Sequence, residues 1–172
     1  MKKLLLALLG ISCGAALFAA PHPPRPPRPP VPPPPPPPAP PVIAPSTGIT
    51  TPRGWFDNFE AARAEARRTH RPMLVLFTGS DWCPHCVRLR KHVLDTRGFG
   101  HYARERLIIV YLDFPRNVKL QRGLRHQNEA LAKHYGVRGF PTTVILSPHG
   151  RELGRIVGAP RDYLEQVMHY AK

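Results

Sequence analysis

The residues of this chain best suited to chemistry are Cys83 and Cys86, which are separated only by Pro84 and His85. A cysteine at the start of a helix meets unpaired backbone N–H groups and the positive end of the helix dipole, and both favour the thiolate over the thiol. The thiolate is the form that attacks a disulfide. The one other cysteine, Cys13, lies in a segment that is expected to be removed as a secretory signal. Because the mature chain would then contain no further cysteine, the pair is interpreted as an exchangeable dithiol rather than as a structural crosslink.

The residues on either side of the pair predict a strand before it and a helix after it. Residues 73–77 form a short apolar run typical of a buried strand, and residues 78–81 read as a turn. Apolar residues then recur at roughly helical spacing, at Val87, Leu89, Val93 and Leu94. A CxxC pair between a strand and a helix indicates redox chemistry. A zinc site would need a second pair of ligands at matching spacing, which the sequence does not contain, so we expect neither a bound metal nor another cofactor.

Phe140-Pro141 is a second feature that points to a functional loop. It precedes residues 142–146, whose β-branched side chains predict a strand. An X-Pro bond is the one peptide bond for which the cis form is accessible at low cost, and it is typical of tight turns. A cis proline beside the dithiol would expose backbone groups against which an extended substrate segment can pair. The alternative is an ordinary trans proline at the start of an edge strand.

From Trp55 to its C-terminus the chain resembles the thioredoxin superfamily, specifically the bacterial periplasmic thioredoxin-like thiol–disulfide oxidoreductases. Three segments carry the resemblance: residues 77–83 (FTGSDWC), 110–115 (VYLDFP) and 135–142 (YGVRGFPT). The last matches the cis-proline loop that faces the dithiol in that family. The resemblance implies an α/β thioredoxin fold, with a central mixed sheet flanked by helices. The chain departs from the family at Leu76-Phe77, where thioredoxins place a buried carboxylate.

The expected roles of the site residues follow from their positions. Cys83, at the helix start and left at a surface by Trp82, is the expected nucleophile, and Cys86, one turn further on, is the expected resolving thiol. Trp82 is expected to shield the thiols and contact substrate. Phe140 and Pro141 are expected to bind substrate, as the resemblance implies.

Pro84 and His85 are expected to tune the pair. An imidazole beside Cys83 favours its thiolate and so stabilises the reduced form, which makes the protein a better oxidant. The Pro-His dipeptide is associated with periplasmic disulfide-introducing enzymes of the Dsb type. However, Phe140 follows Cys86 by only 54 positions, which leaves no room for their large helical insertion. The direction of exchange therefore stays open between reduction or isomerisation and oxidation.

Two acidic residues near the pair have simpler interpretations. Asp113 ends a predicted strand close to the expected active face. It either relays a proton to Cys86 or is a satisfied carboxylate at the end of the strand. Asp81 is interpreted as a residue at the helix entry without chemistry. A different class of function, a non-catalytic envelope module whose two thiols bind Cu(I) for delivery, is the alternative to catalysis.

The chain is organised in three parts. Residues 1–20 have the basic start, short apolar run and small residues of a secretory signal. Residues 21–52 form a proline-rich linker, with 17 prolines among residues 21–45, which predicts a semi-rigid polyproline II spacer. Residues 53–172 form the predicted thioredoxin-like domain. This order predicts export to the periplasm or cell envelope, with acylation of Cys13 as a lipoprotein anchor being the alternative to cleavage after it.

The formal net charge of +14 indicates acidic partners or an anionic membrane surface, with an ordinary solubilising surface as the equal alternative. No nucleic-acid-binding motif is present, and an exported protein is not expected to meet nucleic acid. The expected partners are protein thiols and disulfides and a membrane redox protein that supplies electrons. We expect peripheral contact with anionic membrane and a monomeric state.

The remaining elements follow from capping residues, apolar runs and turn formers. They are a helix from 58 to 69, a strand at 107–112, a basic loop at 115–126, a helix at 127–135, a hairpin of 142–146 with 152–157, a last helix at 160–170, and a weakly indicated edge strand near 48–51.

Overall fold

The computed structural model describes residues 51–52 and 54–172. Its strands are β1 (Met73–Thr78), β2 (Ile108–Asp113), β3 (Thr142–Leu146) and β4 (Glu152–Val157). Its helices are α1 (Phe59–Thr69), α2 (Pro84–Leu89), α3 (Arg97–Arg106), α4 (Arg122–His134) and α5 (Tyr163–Tyr170), and a π-helical turn, Arg90–Leu94, continues α2. The predicted signal, Cys13 and almost all of the predicted linker lie outside the described residues. Within those ranges no helix is both long enough and apolar enough to cross a membrane.

The four strands form one mixed sheet in the order β2-β1-β3-β4. β1 runs parallel to β2 and antiparallel to β3, so that Val75 lies opposite Val110 on one side and Val144 on the other. β4 pairs antiparallel with β3 at the edge. All residues of β1, β2 and β3 are buried, which explains why these strands appear in the sequence as continuous apolar runs. The predicted mixed sheet flanked by helices is confirmed.

The pairing at the β2 edge of the sheet is a single bridge rather than a strand. Phe56 forms an isolated parallel bridge with Val110, donating its N–H to the carbonyl of Ile109 at 2.8 Å and accepting from the N–H of Tyr111 at 2.7 Å. The edge strand expected near residues 48–51 falls mostly outside the described residues, and the pairing that is present lies five residues after Thr51.

Alternate residues of the strands fill two cores, one on each face of the sheet. One core contains Leu74, Leu76 and Tyr111 together with side chains from α3 and α5. The other contains Val75 and Phe77 together with side chains from α1 and α4. This division follows from the period of two in a strand, which sends neighbouring side chains to opposite faces.

Three helices differ from the sequence prediction. α4 begins at Arg122 rather than at residue 127, because Leu124 and Asn128 are buried on its inner face and Leu131 packs against the core. α3 was not predicted. It is capped by the Thr96 hydroxyl, which accepts from the N–H of Phe99 at 3.3 Å. α5 begins at residue 163, after a turn that starts at Pro160, so proline does not open the helix itself.

Candidate active site

Cys83 and Cys86 form a disulfide across the start of α2, with their Cα atoms 5.2 Å apart. Cys83 is the N-cap of the helix, with an extended backbone (φ −91°, ψ 108°), and Pro84 occupies the first turn. The backbone N–H of Cys86 points at the Sγ of Cys83 at 3.2 Å. An N–H in this position favours negative charge on that sulfur once the disulfide is reduced.

The two cysteines are more buried than the sequence indicated, each being 4% exposed. The expectation that Trp82 leaves Cys83 at an open surface is corrected. The cause lies in the loop before β3, whose Phe140 carbonyl oxygen approaches the Sγ of Cys83 to 3.6 Å.

The Phe140–Pro141 peptide bond is cis, as predicted. The loop that contains it is held by its own hydrogen bonds. The Thr142 hydroxyl donates to the carbonyl of Gly139 at 2.8 Å, and the N–H of Gly158 donates to the carbonyl of Pro141 at 2.8 Å. These contacts hold the loop at the start of β3 and tie it to the residue that follows β4.

Three aromatic side chains, Trp82, Phe114 and Phe140, pack against one another next to Cys83. The indole Nε1–H of Trp82 donates to the Phe114 carbonyl at 2.7 Å. The Phe140 ring stacks on Phe114, with centroids 4.9 Å apart, and meets the Trp82 ring edge-on at 5.9 Å. Gly79 makes room for this arrangement, because a Cβ there would lie 2.6 Å from the indole ring. We call these three side chains the aromatic surface.

Asp81 does more than open the helix. Its carboxylate accepts from the backbone N–H groups of Arg116 at 3.0 Å and Asn117 at 2.7 Å, 35 and 36 residues away. Desolvation acts to raise the pKa of Asp81, but its hydrogen bonds, led by these two N–H donors, outweigh it and hold the pKa below its ordinary value. The loop after β2 is thereby tied to the CxxC segment, and the Arg116 guanidinium lies 3.8 Å from the centre of the Trp82 ring. No local sequence signal reveals this contact.

His85 is exposed and points towards its own helix. Its Nδ1 lies 3.3 Å from the Nη2 of Arg88. Because a guanidinium only donates hydrogen bonds, Nδ1 is the acceptor in this pair and the neutral ring carries its proton on Nε2. The Nε2–H of the neutral ring is thereby left as its one donor.

Asp113 lies at the end of β2, 3% exposed. Its carboxylate accepts from the Ser80 N–H at 2.9 Å and the Ser80 hydroxyl at 2.5 Å, and from the N–H of Phe114 at 2.9 Å. Burial raises the pKa of Asp113 above its ordinary value, although these donors oppose the shift. In the region where thioredoxins carry a buried acid, Leu76 and Phe77 are buried in the core.

A cavity of about 220 Å³ lies beside Cys86. Ser80, Arg90 and Tyr111 line it together with Cys86 itself. Burial, followed by the nearby Asp113 charge, raises the pKa of Tyr111 to about 12, so its phenol stays protonated at neutral pH. The cavity thus joins the buried sulfur to hydroxyl groups, one of which is hydrogen-bonded to Asp113.

No cluster of three or more His, Cys, Asp or Glu side chains in the described part of the chain is arranged to hold a metal ion. For the Cu(I) alternative, the two cysteine sulfurs are thus the available ligands at this site.

Comparisons with known proteins agree with this geometry. A family model described as a thioredoxin-like domain matches residues 59–172. Two curated proteins of Chlamydia pneumoniae are similar: disulfide bond reductase DsbH, 32% identical over 101 residues that cover 59% of this chain and 61% of that protein, and thioredoxin-related protein DsbJ, 28% identical over 102 residues that cover 59% and 29%. The chain thus spans less than two thirds of either relative.

Two solved structures extend the comparison. A structure of a DsbH oxidoreductase superposes with a TM-score of 0.62 at 28% identity, covering 72% of this chain and 90% of the other. A thioredoxin from Thermus thermophilus superposes with a TM-score of 0.53 at 24% identity, covering 67% and 84%. The second shares the fold.

Proposed function

The chain belongs to the thioredoxin-like domain family, and from this premise we propose that it is a thiol–disulfide oxidoreductase that exchanges disulfides with other polypeptides through Cys83 and Cys86. The observation that carries the proposal is the disulfide at the start of α2, with Cys83 facing the cis-proline loop. A structural crosslink has no need of a substrate-pairing loop and an aromatic surface beside it.

The proposed exchange proceeds in two steps. The Cys83 thiolate attacks one sulfur of a client disulfide, which forms a mixed disulfide and releases the other client sulfur as a thiolate. The Cys86 thiolate then attacks the Cys83 sulfur, releases the second client thiolate and closes the Cys83–Cys86 disulfide. Two electrons pass from the protein to the client, and a dithiol electron donor must afterwards reduce the protein. All steps are reversible, so a client dithiol is oxidised by the reverse sequence.

The assignment of the two sulfurs rests on what each one faces. Cys83 lies against the Phe140 carbonyl and the aromatic surface, where an extended client segment would pair. Cys86 lies on the other side of the disulfide, where the N–H of Gly79 is 3.5 Å from its Sγ. We therefore assign attack on the client to Cys83 and resolution to Cys86, with Trp82, Phe140 and Pro141 contacting the client.

Asp113 is proposed to supply proton transfer to Cys86 through Ser80. The carboxylate is hydrogen-bonded to Ser80, and Ser80 lines the same cavity as Cys86. This route would replace the buried acid of thioredoxins, whose region reads Leu76-Phe77 here. Water in the cavity would complete the path.

For direction and location, we propose reduction of client disulfides in the cell envelope. The similarity to a protein named as a disulfide bond reductase supports reduction, and the signal-like residues 1–20 support export. Electrons would come from a membrane redox partner. His85 works against strong reducing power, because it stabilises the reduced pair.

Insulin reduction driven by dithiothreitol tests the activity. The full chain is expected to accelerate it, and Cys83→Ser and Cys86→Ser variants are expected to lose the acceleration. The reduction potential of the pair tests direction: a value of about −270 mV supports reduction, and one of about −120 mV supports disulfide donation. An inactive wild-type protein that binds one Cu(I) at the pair would overturn the proposal in favour of metal delivery.

A further inference from the structure

A basic pocket lies between the loop after β2 and the start of α4. Its volume is about 380 Å³, near the lower end of the range for ligand sites. Four cationic side chains line it: Arg116, Lys119, Arg122 and Arg125. All four are exposed, so their charged groups are accessible to a ligand.

The acidic side chains of the pocket do not neutralise it. Glu129 pairs with Arg125 at 3.8 Å. The Asp113 carboxylate is occupied by Ser80 and the N–H of Phe114. In the part of the chain that the structure describes, Arg116, Lys119 and Arg122 form no ion pair with any carboxylate. The pocket therefore carries a surplus of positive charge without internal partners.

The pocket is continuous with the candidate active site. Arg116 covers the Trp82 ring at 3.8 Å, and Phe114 lines the pocket while stacking on Phe140. The carbonyl of Phe140 in turn contacts the Cys83 sulfur. A polypeptide segment bound over the aromatic surface would therefore place its neighbouring residues at the pocket. The Asp81 hydrogen bonds to the backbone of Arg116 and Asn117 hold this wall in position.

We propose that this pocket binds acidic side chains of the client polypeptide, next to the cysteine whose disulfide is exchanged. The inference rests on the proposed function and adds the substrate class, which is disulfides flanked by aspartate or glutamate. Guanidinium groups match carboxylates in geometry as well as in charge. A concave site on one side of the reacting sulfur suits a side chain better than a flat anionic membrane.

The test uses two peptides that carry the same cysteine, joined by a disulfide to the same small neutral thiol, and differ only in flanking glutamates or glutamines. Reduced full-length protein is mixed with each in a single turnover, in which the Cys83–Cys86 dithiol becomes a disulfide and the two peptide-side sulfurs become thiols. The glutamate peptide is expected to react about tenfold faster at low salt, since a cleft of one sign raises association rates. The difference should shrink at high salt.

Matched charge reversals locate the effect. The double variant Lys119→Glu/Arg122→Glu is expected to lose the preference and to favour a lysine-flanked peptide. Arg97→Glu/Arg161→Glu changes the net charge equally at two exposed positions outside the pocket and should keep the preference. The neutral double variant Lys119→Gln/Arg122→Gln removes the same two positive charges without adding acidic side chains. It therefore separates the loss of charge from a folding defect caused by the new acids.

The outcomes separate the inference from the function on which it rests. Equal rates for the glutamate and glutamine peptides would overturn the pocket assignment while leaving the oxidoreductase intact. Failure to reduce either peptide would overturn the proposed function itself. If the pocket reversal abolished sedimentation with phosphatidylglycerol vesicles but left the peptide preference unchanged, the surface would serve the membrane and the inference would be wrong.

Discussion

The carbonyl oxygen of Phe140 lies 3.6 Å from the sulfur of Cys83, although the two residues are 57 positions apart in the chain. This contact joins the proline loop to the helix start and makes one surface of two distant segments. A client that pairs with the backbone of the loop meets Cys83 before Cys86. This placement supports the proposed order of the two thiols in the exchange.

Replacing Cys86 with serine is expected to trap the first intermediate. Without the resolving thiolate, the mixed disulfide between Cys83 and a client has no internal route to release. The Cys86→Ser protein should therefore accumulate disulfide-linked adducts with its clients. These adducts are detected on non-reducing gels and by mass spectrometry, and a reductant should remove them. Cys83→Ser is the matched control and should form few adducts. Equal trapping by both variants would contradict the assigned order.

Asp113→Asn tests the effect of the buried carboxyl on stability. Burial raises the pKa of Asp113 in the folded protein above its ordinary value of 3.8, so between these two values the folded state binds more protons than the unfolded chain. The stabilisation from protonated Asp113 is then fully present below 3.8 and lost as the pH rises through the folded pKa. The free energy of unfolding of Asp113→Asn relative to wild type should therefore increase with pH across that window.

Urea denaturation at a series of pH values measures this difference. Glu105→Gln removes an exposed carboxyl from α3 and reports how much change any surface acid produces. A difference between Asp113→Asn and wild type that stayed constant with pH would contradict the raised pKa.

The same variant tests the proposed proton route. If Asp113 acts on Cys86 through Ser80, Asp113→Asn should slow release of the mixed disulfide by about 10²-fold. It should also remove a pH dependence that wild type shows near the raised pKa. Ser80→Ala should slow the same step and leave attack by Cys83 unchanged. A uniform loss in both steps, with the pH profile preserved, would mean that Asp113 is only structural.

Asp81→Ala should release the loop that forms one wall of the basic pocket. The carboxylate accepts from the N–H groups of Arg116 and Asn117, and these donors lose their partner in the variant. Hydrogen exchange at the two amides should become several-fold faster, while amides of β1 stay protected. Asp81→Asn, which keeps one acceptor oxygen, should give an intermediate rate. Unchanged exchange at Arg116 would show that the loop is held by other contacts.

The dithiol and the proline loop were predictable because their signals are local. Cys83 and Cys86 follow a continuous apolar run, and Pro141 precedes a run rich in β-branched residues. Each motif therefore lies next to a strand that the sequence predicts. The fold could be inferred from the order of these strands and the helices between them. Residue roles that depend on exchange with a client remain predictions.

Contacts between distant segments were not predictable. Asp81 was interpreted as a simple helix entry because nothing near it in the sequence indicates that it binds the backbone at Arg116. α3 was missed because glycines at 98 and 100 lower helix propensity, whereas packing of Phe99 and Ala103 against the sheet outweighs that cost. The burial of Cys83 was missed because Phe140 covers it from 57 residues away.

The hydroxyl pair of Thr143 and Tyr163 should stabilise the fold without affecting catalysis. The two oxygens lie 2.7 Å apart and both residues are fully buried. Tyr163→Phe leaves the Thr143 hydroxyl without this partner and should cost about 1–2 kcal/mol in the free energy of unfolding. Insulin reduction per folded molecule should not change. The double variant Thr143→Val/Tyr163→Phe should cost less than the sum of the single variants, and strict additivity would contradict the coupling.

His85→Ala should make the pair more reducing. Arg88 occupies the Nδ1 of His85, which leaves Nε2–H as the donor. We expect this donor to stabilise the Cys83 thiolate, which is present only in the reduced protein. Its loss should lower the reduction potential by about 30 mV, which corresponds to about 1.4 kcal/mol in this two-electron couple. The potential is measured by equilibration with glutathione and alkylation of free thiols. His92→Ala, an exposed histidine in the π-helical turn, is the matched control and should leave the potential unchanged. An equally large fall in the reduction potential of His92→Ala, or a rise in the reduction potential of His85→Ala, would show that the imidazole does not act on Cys83.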